Sequence, residues 1–288
     1  MNLFEIPPQL FICPRCKKKL IIENEKIFCP SCRKDVMKDG RLLDFHQLTP
    51  DLNLHFAEYT KELHNIAGQE MSDIHDSWRI KEIVTLIKKY HNGSVCVEIG
   101  GGDGPLTPSL ESLFSIVISL DFSKTFLDRI QYKTKKTICV LGDAHFLPIE
   151  DHSIDCVICS EVLEHVSIPT QLLLEIRRIL KSDGICILSI PNDATSGLFE
   201  LFRENKHFPS DSHINFYNIT ALKKLLFRMG FEIQSLQRIS PPQGLSRFYR
   251  MPFSYLLTGK YFTHILCSLR IMKNPNVYWE NFERRIII

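Results

Sequence analysis

The chain has 288 residues, of which 44% are hydrophobic and 24% charged, and its formal net charge is +2. This composition can build a full hydrophobic core and excludes an intrinsically disordered chain. No run approaches the ~18 apolar residues that cross a membrane, and the N-terminus, with an early Pro pair and no basic region, is not typical of a secretory signal. We therefore expect a cytoplasmic protein.

The small net charge is the sum of three unlike segments. Residues 1–50 have a net charge of +3, residues 51–232 of −7 and residues 233–279 of +6. Charge over the whole chain therefore excludes no anionic partner. At roughly 150 residues per domain, the length predicts one large domain with an appendage, or two domains.

Four cysteines near the N-terminus have the spacing of a metal site. They form the pattern C-x2-C-x12-C-x2-C, which comprises Cys13, Cys16, Cys29 and Cys32. Four thiolates in this pattern predict one structural Zn²⁺ with tetrahedral geometry and no open position for water. The hairpin between the pairs is too small to fold without the metal. Two disulfides or a redox dithiol are the alternatives, and the other six cysteines, which lie in apolar runs, are expected to be small buried hydrophobic residues.

Strand and helix patterns alternate through most of the remaining chain. A polar linker with one or two short helices occupies 46–77, and a helix from Trp78 follows. The predicted strands one to six are SVCVEI, SIVISLD, TICVLG, IDCVICSE, ICILSI and FEIQSLQ. The helix PTQLLLEIRRILK is predicted to stop at Asp183-Gly184. This alternation predicts a doubly wound α/β sheet.

A glycine-rich loop follows the first of these strands. It has the sequence Glu98-Ile99-Gly100-Gly101-Gly102-Asp103-Gly104. Glycines let the backbone approach a ligand closely, and the following helix offers free N–H groups. The dinucleotide spacing G-x-G-x-x-G is not met, because Pro105 or Thr107 stands at the third glycine position. The run instead fits acidic-x-G-x-G-x-G and resembles the first motif of class I methyltransferases that use S-adenosylmethionine.

Later motifs extend this resemblance over residues 78–236 and include LGDAHFLPIEDHSIDCVICSEVLEHV and ILKSDGICILSIPN. It implies that Asp121, at the end of the second strand, accepts hydrogen bonds from the cofactor ribose. It also implies that Asp143 faces the adenine amino group and that Ala144 offers a backbone N–H to the ring. Ser160 and Glu161 would lie under the sulfonium. The cofactor-binding residues implied by the resemblance are Glu98, Gly100, Gly102, Gly104, Asp121, Phe122, Asp143, Ala144 and Ser160.

The family resemblance, closest to small-molecule methyltransferases of types 11 and 23, also implies a fold. We expect a seven-stranded Rossmann-like sheet of strand order 3-2-1-4-5-7-6 over residues 78–288, behind a zinc ribbon at 1–45. The seventh strand is predicted in VYWENFERRIII, antiparallel between strands five and six. Residues 241–274 then form a basic, aromatic insertion. It could be a helical lid, an amphipathic segment that contacts a membrane surface, or a nucleic-acid surface with stacking aromatics.

Two histidines are the candidate catalytic residues. A His within reach of an oxygen acceptor could remove its proton. His165 lies just past the fourth strand, and His213 begins an H-x-x-x-[FY] segment that related small-molecule methyltransferases place near the acceptor. A structural role is the alternative for each. The N-P-P-[YF] stretch typical of enzymes that methylate exocyclic amines of bases is not found after the fourth strand.

The sequence therefore predicts methyl transfer to a small molecule or to a saccharide or lipid-linked intermediate, with peripheral membrane contact through 241–274 as an option. Residues 11–45 resemble the zinc ribbon that precedes many bacterial methyltransferase domains, including some rRNA guanine methyltransferases. An rRNA methyltransferase that contacts RNA through the ribbon is thus the alternative. A second alternative is a non-catalytic assembly partner that binds the cofactor.

Overall fold

The computed structural model describes residues 7–23, 26–50, 77–91, 93–192, 214–239 and 264–273. The strands are β1 (Ile21–Glu23), β2 (Lys26–Cys29), β3 (Lys34–Asp39), β4 (Leu42–Asp44), β5 (Val95–Ile99), β6 (Ile116–Asp121), β7 (Ile138–Leu141), β8 (Ile154–Ser160), β9 (Leu180–Pro191), β10 (Phe231–Ile239) and β11 (His264–Ile271). The helices are α1 (Ser77–Tyr90), α2 (Thr107–Leu113), α3 (Lys124–Lys133), α4 (Pro169–Ile179) and α5 (Ile219–Arg228). A 3-10 turn lies at Pro8–Leu10.

The eleven strands of the described residues belong to one sheet, in the order β1-β2-β3-β4-β7-β6-β5-β8-β9-β11-β10. The ladder from β4 through β7, β6, β5 and β8 to β9 is parallel, whereas β11 is antiparallel to both β9 and β10. Parallel strands joined by helices are the mark of a doubly wound α/β protein. The predicted fold class is confirmed.

Helices cover both faces of the sheet because alternate residues of each strand point to opposite sides. On one face, Cys96 and Ile158 pack with α1 and α2. On the other face, Val97 and Cys159 pack with α4 and α5. The six cysteines outside the N-terminal cluster are all buried free thiols, as predicted from their apolar runs.

Local hydrogen bonds explain where several helices begin and end. The side chains of Ser123 and Asn218 accept hydrogen bonds from backbone N–H groups in the first turns of α3 and α5. Helix α5 ends just before Gly230, which has a φ of +80. Helix α4 ends at Ile179, four residues before the predicted stop, because Leu180 is already extended and pairs with Ile154 of β8.

The seventh strand of the α/β sheet lies earlier in the chain than predicted. It is β11, at His264–Ile271, inside the predicted insertion 241–274, and it pairs with β9 from His264 opposite Pro191 to Leu269 opposite Cys186. A strand buried on both faces reads as a plain apolar run, so HILCSLRI has no period of two to reveal it. The insertion is thus shorter at its C-terminal end, and 241–263 and 277–288 lie outside the described residues.

The N-terminal ribbon is part of the main sheet and not a separate module. Strands β1 to β4 form an antiparallel meander, and β4 then pairs in parallel with β7, with Leu42 opposite Cys139 and Asp44 opposite Leu141. Phe11 and Phe45 are fully buried in the same core as the α/β strands, with ring centroids 6.1 Å apart. The ribbon therefore extends the sheet beyond its third α/β strand.

Within the described residues, no helix is long and apolar enough to cross a membrane.

Candidate functional site

The glycine-rich loop lies at the carboxyl ends of β5 and β6. Gly100, Gly102 and Gly104 all have positive φ angles, of +71, +53 and +81. A Cβ built at Gly100 would lie 2.3 Å from Val162 Cγ2, whereas one at Gly102 would meet no heavy atom of the described residues within 4 Å. Left-handed backbone favours glycine, and the open side of Gly102 leaves room for a ligand against the loop.

The carboxylate of Glu98 lies beneath the loop and not in its open face. Its Oε2 accepts hydrogen bonds from Thr107 Oγ1 at 2.6 Å and from Ser119 Oγ at 3.1 Å. Burial raises the pKa of Glu98 to about 7, although both hydroxyls act in the opposite direction. Glu98 therefore joins the end of β5 to β6 and to the first residue of α2.

Asp121 faces the loop from the end of β6. Its Oδ2 accepts a hydrogen bond from the Gly102 N–H at 3.0 Å, and its Oδ1 accepts one from the Ser123 N–H at 2.8 Å. Burial raises the pKa of this carboxyl to about 6, against the lowering effect of these N–H groups and that of Phe122. Phe122 itself is half-buried beside it. The carboxylate thus lies at the open side of the loop, where ligand hydroxyls could reach it.

Asp143 and His145 form a buried pair in the loop after β7. Asp143 Oδ1 accepts from the His145 N–H at 2.8 Å and lies 2.6 Å from His145 Nδ1. His145 Nε2 accepts the Ile168 N–H at 3.1 Å, so Nδ1 carries the proton given to Asp143. Ala144, between them, is partly buried against the core. His145 thereby connects this loop to the start of α4.

A charged cluster lies at the carboxyl end of β8, next to Ser160. Glu161 has φ +57, and its Oε1 accepts from Ser189 Oγ at 2.6 Å. Its Oε2 lies 3.2 Å from His264 Nε2 and 3.4 Å from an Arg79 guanidinium nitrogen. The His264 ring meets the Trp78 ring edge-on, with centroids 5.5 Å apart. Strained non-glycine residues of this kind concentrate at functional sites.

Contacts with Arg79 and His264 hold Glu161 in its ionised form. Burial acts to raise the pKa of this carboxyl, but His264 and Arg79, with the Ser189 hydroxyl, outweigh it and lower the pKa to about 2. The side chains of Arg79, Glu161 and His264 are each only 15–19% exposed. The cluster is therefore a recessed charged site at the sheet edge where open α/β folds bind ligands.

Of the two histidines predicted to be catalytic, the structure describes His165. His165 lies in the loop after β8, with Nε2 3.8 Å from Glu164 Oε1. His213 lies outside the described residues, but the next residue, Ile214, donates its N–H to Glu164 O at 3.0 Å. Tyr217, at the end of the H-x-x-x-[FY] segment, is buried, and burial raises its pKa to about 12.

The four N-terminal cysteines come together as a compact cluster. Their sulfur atoms all lie within 4.8 Å of one another, with Cys13 Sγ 3.7 Å from Cys32 Sγ and Cys16 Sγ 3.4 Å from Cys29 Sγ. A disulfide needs an S–S distance of about 2.05 Å, whereas four sulfurs around one tetrahedral metal lie roughly 3.8 Å apart. The cluster thus fits a metal site.

Sequence patterns did not reveal Arg79, His145, Ser189 or His264 as site residues. Arg79 belongs to a helix remote in sequence from β8, and His264 was assigned to an insertion. The position of His264 at the carboxyl edge could have been found only by recognising β11 as a core strand. His145, two residues after Asp143, is visible in the sequence, but its hydrogen bonds depend on the tertiary fold.

The fold and the loop together define a doubly wound α/β protein, a class that binds its ligands at the carboxyl ends of the strands. A family model described as a methyltransferase domain matches residues 97–188. The uncharacterised protein MJ0638 of Methanocaldococcus jannaschii is 32% identical over 197 residues, which cover 67% of this chain and 80% of that protein. The uncharacterised methyltransferase C25B8.09 of Schizosaccharomyces pombe is 30% identical over 179 residues, covering 55% of this chain and 68% of that protein.

A solved structure agrees with these sequence matches at the level of fold. Magnesium protoporphyrin IX methyltransferase of Synechocystis PCC 6803, solved with bound SAH, superposes with a TM-score of 0.54 at 17% identity, over 75% of this chain and 96% of that one. The chain belongs to the class I S-adenosylmethionine-dependent methyltransferases. It is an enzyme whose methyl donor is S-adenosylmethionine.

Proposed function

We propose that S-adenosylmethionine binds across the loops after β5, β6 and β7. Asp121 would accept hydrogen bonds from the ribose hydroxyls, and the backbone of Gly100–Gly104 would lie against the methionine part. Asp143 Oδ1 is hydrogen-bonded to His145, and among the described residues no hydrogen bond reaches Asp143 Oδ2. This second oxygen would face the adenine amino group. The open space beside Gly102 under the Asp121 carboxylate is the observation that carries this assignment.

Within this proposal, Glu98 has a supporting role. Its carboxylate is occupied by Thr107 and Ser119, so it fixes the loop and the start of α2 instead of contacting the ligand. Phe122 and Ala144 remain proposed contacts on the adenosine side. Ser160, the last residue of β8, is proposed to border the reacting methyl group.

The cofactor supplies an electrophilic methyl group, and the protein then has to place and deprotonate an acceptor. We propose that Glu161 and His264 serve this purpose. A His264 Nε2–H donated to Glu161 would fix the orientation of the ring, and the carboxylate would stabilise the ring when it takes up a proton. His165 and His213, predicted from the sequence, are the other proposed bases.

The acceptor is proposed to be a small molecule or the head of a saccharide or lipid-linked intermediate. Glu161, Arg79 and His264 form a recessed site that fits a small polar group. The ribbon strand β4 lies four strands from β8, which is roughly 19 Å at ~4.8 Å per strand. The ribbon is thus remote from the proposed point of methyl transfer. Its contacts indicate a role in stabilising the sheet more directly than a role in binding RNA.

The Cys13, Cys16, Cys29 and Cys32 cluster is proposed to bind structural Zn²⁺. Four sulfur ligands leave no site for water, so the metal would stabilise the ribbon and take no part in methyl transfer.

The acceptor class can be tested without knowing the acceptor. The full-length protein is incubated with methyl-labelled S-adenosylmethionine and a cell extract, which is then separated into RNA, lipid and small-molecule fractions. We expect label in small molecules or lipid-linked saccharides with the wild type and none with Asp121→Ala. Label in RNA that depends on Asp121 would contradict the proposed acceptor and support an rRNA substrate. Cofactor binding with no label in any fraction would support the non-catalytic alternative.

Membrane contact is a separate question, and sedimentation with anionic vesicles addresses it. Because His264–Ile271 is a strand of the sheet, the proposed contact segment is limited to 241–263, which lies outside the described residues. Binding at low salt that is lost at high salt would support peripheral contact, and no binding at low salt would exclude it.

A further inference from the structure

The loop that contains Asp143 and Ala144 is held by the ribbon on its N-terminal side. Strand β4 pairs with β7, which leads directly into this loop. The backbone N–H of Phe45, just past β4, then donates to Leu141 O at 2.9 Å. Leu141 is the last residue of β7 and lies two positions before Asp143. The entry to the loop is thus fixed by ribbon backbone.

The same loop is held by the ribbon on its C-terminal side. The Ile12 N–H donates to Pro148 O at 3.1 Å, and the Glu150 N–H donates to Leu10 O at 2.9 Å. Phe11 forms an antiparallel bridge with Ile149 between these two bonds. Cys13, the first residue of the metal cluster, follows this bridge directly. The exit of the loop is therefore continuous with the first metal knuckle.

A side-chain contact makes a third connection. Lys17 follows Cys16 with φ +57, and its Nζ lies 2.9 Å from Glu175 Oε2. The same Oε2 accepts the Leu147 N–H at 2.8 Å, at the end of the loop. Lys17 Nζ and the Leu147 N–H thus share one carboxylate oxygen.

We propose that metal binding at the cysteine cluster and cofactor binding at the loop are energetically coupled, with the ribbon acting as a positioning element for Asp143 and Ala144. Cysteine knuckles of this size keep their fold only with the metal. Loss of the metal would release both ends of the loop and weaken cofactor binding. Coupling between two sites is reciprocal, so the cofactor must strengthen metal retention by the same factor. This inference rests on the proposed binding of zinc and of the cofactor.

The first test uses the full-length, zinc-loaded protein. S-adenosylhomocysteine is titrated by calorimetry before and after removal of the metal with a chelator, and circular dichroism checks the fold of each sample. We expect at least tenfold weaker binding without metal, within the usual range of coupling factors of about 5 to 150. We also expect S-adenosylhomocysteine to slow the release of zinc to a chromogenic chelator.

A second test keeps the metal in place and uses the two knuckles as a matched pair. Arg33 follows Cys32 with φ +55, just as Lys17 follows Cys16. Among the described residues, the Arg33 side chain makes no hydrogen bond or ion pair. Asn tolerates this backbone region, so Lys17→Asn and Arg33→Asn both spare the knuckle. We expect Lys17→Asn to weaken S-adenosylhomocysteine binding by about two- to fivefold and Arg33→Asn to leave it unchanged.

The outcomes separate this inference from the proposed function. If the zinc-loaded wild type does not bind S-adenosylhomocysteine, the proposed cofactor site fails. If it binds equally well with and without metal in a folded protein, the coupling is overturned. If the chelated protein unfolds, the variants decide: equal affinities of Lys17→Asn and Arg33→Asn overturn the coupling, and a loss confined to Lys17→Asn supports it.

Discussion

Two alanine substitutions in the glycine loop should separate folding from cofactor binding. Both Gly100 and Gly102 have left-handed backbone, which costs a residue with a Cβ about 1–2 kcal/mol. At Gly100 the added Cβ would also lie 2.3 Å from Val162 Cγ2, and overpacking of this kind costs about 1–3 kcal/mol. Gly100→Ala should therefore lower the free energy of unfolding by about 2–5 kcal/mol. Gly102→Ala should lower it by only the backbone cost, because its Cβ would meet no atom within 4 Å in the part of the chain that the structure describes.

For cofactor affinity, Gly102→Ala should be the more damaging of the two substitutions. The Cβ of Gly102→Ala would occupy the space proposed for the ligand, so the affinity for S-adenosylhomocysteine should fall by about tenfold or more. Urea unfolding followed by circular dichroism measures the first quantity, and calorimetric titration measures the second. If Gly102→Ala binds like the wild type, the ligand does not lie against this loop. If both variants lose equal stability, the packing assigned to Gly100 is incorrect.

Three further predictions concern charged groups. Burial raises the Asp121 pKa to about 6, so binding that requires the carboxylate should weaken as the pH falls below 6, and calorimetry should show no such dependence for Asp121→Asn. Because the pKa of Glu161 is lowered to about 2, its ion pairs stabilise the fold above the ordinary pKa of about 4.5 and cease to do so as the pH falls towards 2. Urea unfolding of wild type and Glu161→Gln should therefore differ at pH 7 and converge only as the pH approaches 2, and an equal difference at pH 7 and pH 2 would contradict this. Arg178 donates hydrogen bonds to Leu147 O and Ile149 O. Arg178→Ala should therefore lower the free energy of unfolding by about 3–5 kcal/mol, whereas Lys124→Ala, at an exposed position, should lower it by ~0–1 kcal/mol. Similar losses in these two variants would show that Arg178 does not secure the loop.

The α/β fold was predictable because its strands are local, β-branched apolar runs separated by helices with clear ends. The glycine loop was predictable for a similar reason, since positive φ angles require glycine at Gly100, Gly102 and Gly104. The four cysteines were equally visible, because metal ligands need a fixed spacing. In each case the information lies within a few neighbouring residues.

Features that depend on distant contacts were not predictable. The pairing of β4 with β7 joins a three-residue strand to one almost 100 positions later, and nothing in LLD marks it as a sheet edge. Strand β11 is buried on both faces and has no alternating pattern. Arg79 and His264 reach Glu161 only through the tertiary fold, so sequence reasoning favoured the nearer His165 and His213 instead.

A crystal structure of the zinc-loaded protein with S-adenosylhomocysteine would test the central claim most directly. We expect the ribose hydroxyls within hydrogen-bonding distance of the Asp121 carboxylate, the adenine amino group at Asp143, and the sulfur atom near the end of β8. A ligand bound elsewhere, with Asp121 and Asp143 both facing solvent, would contradict it.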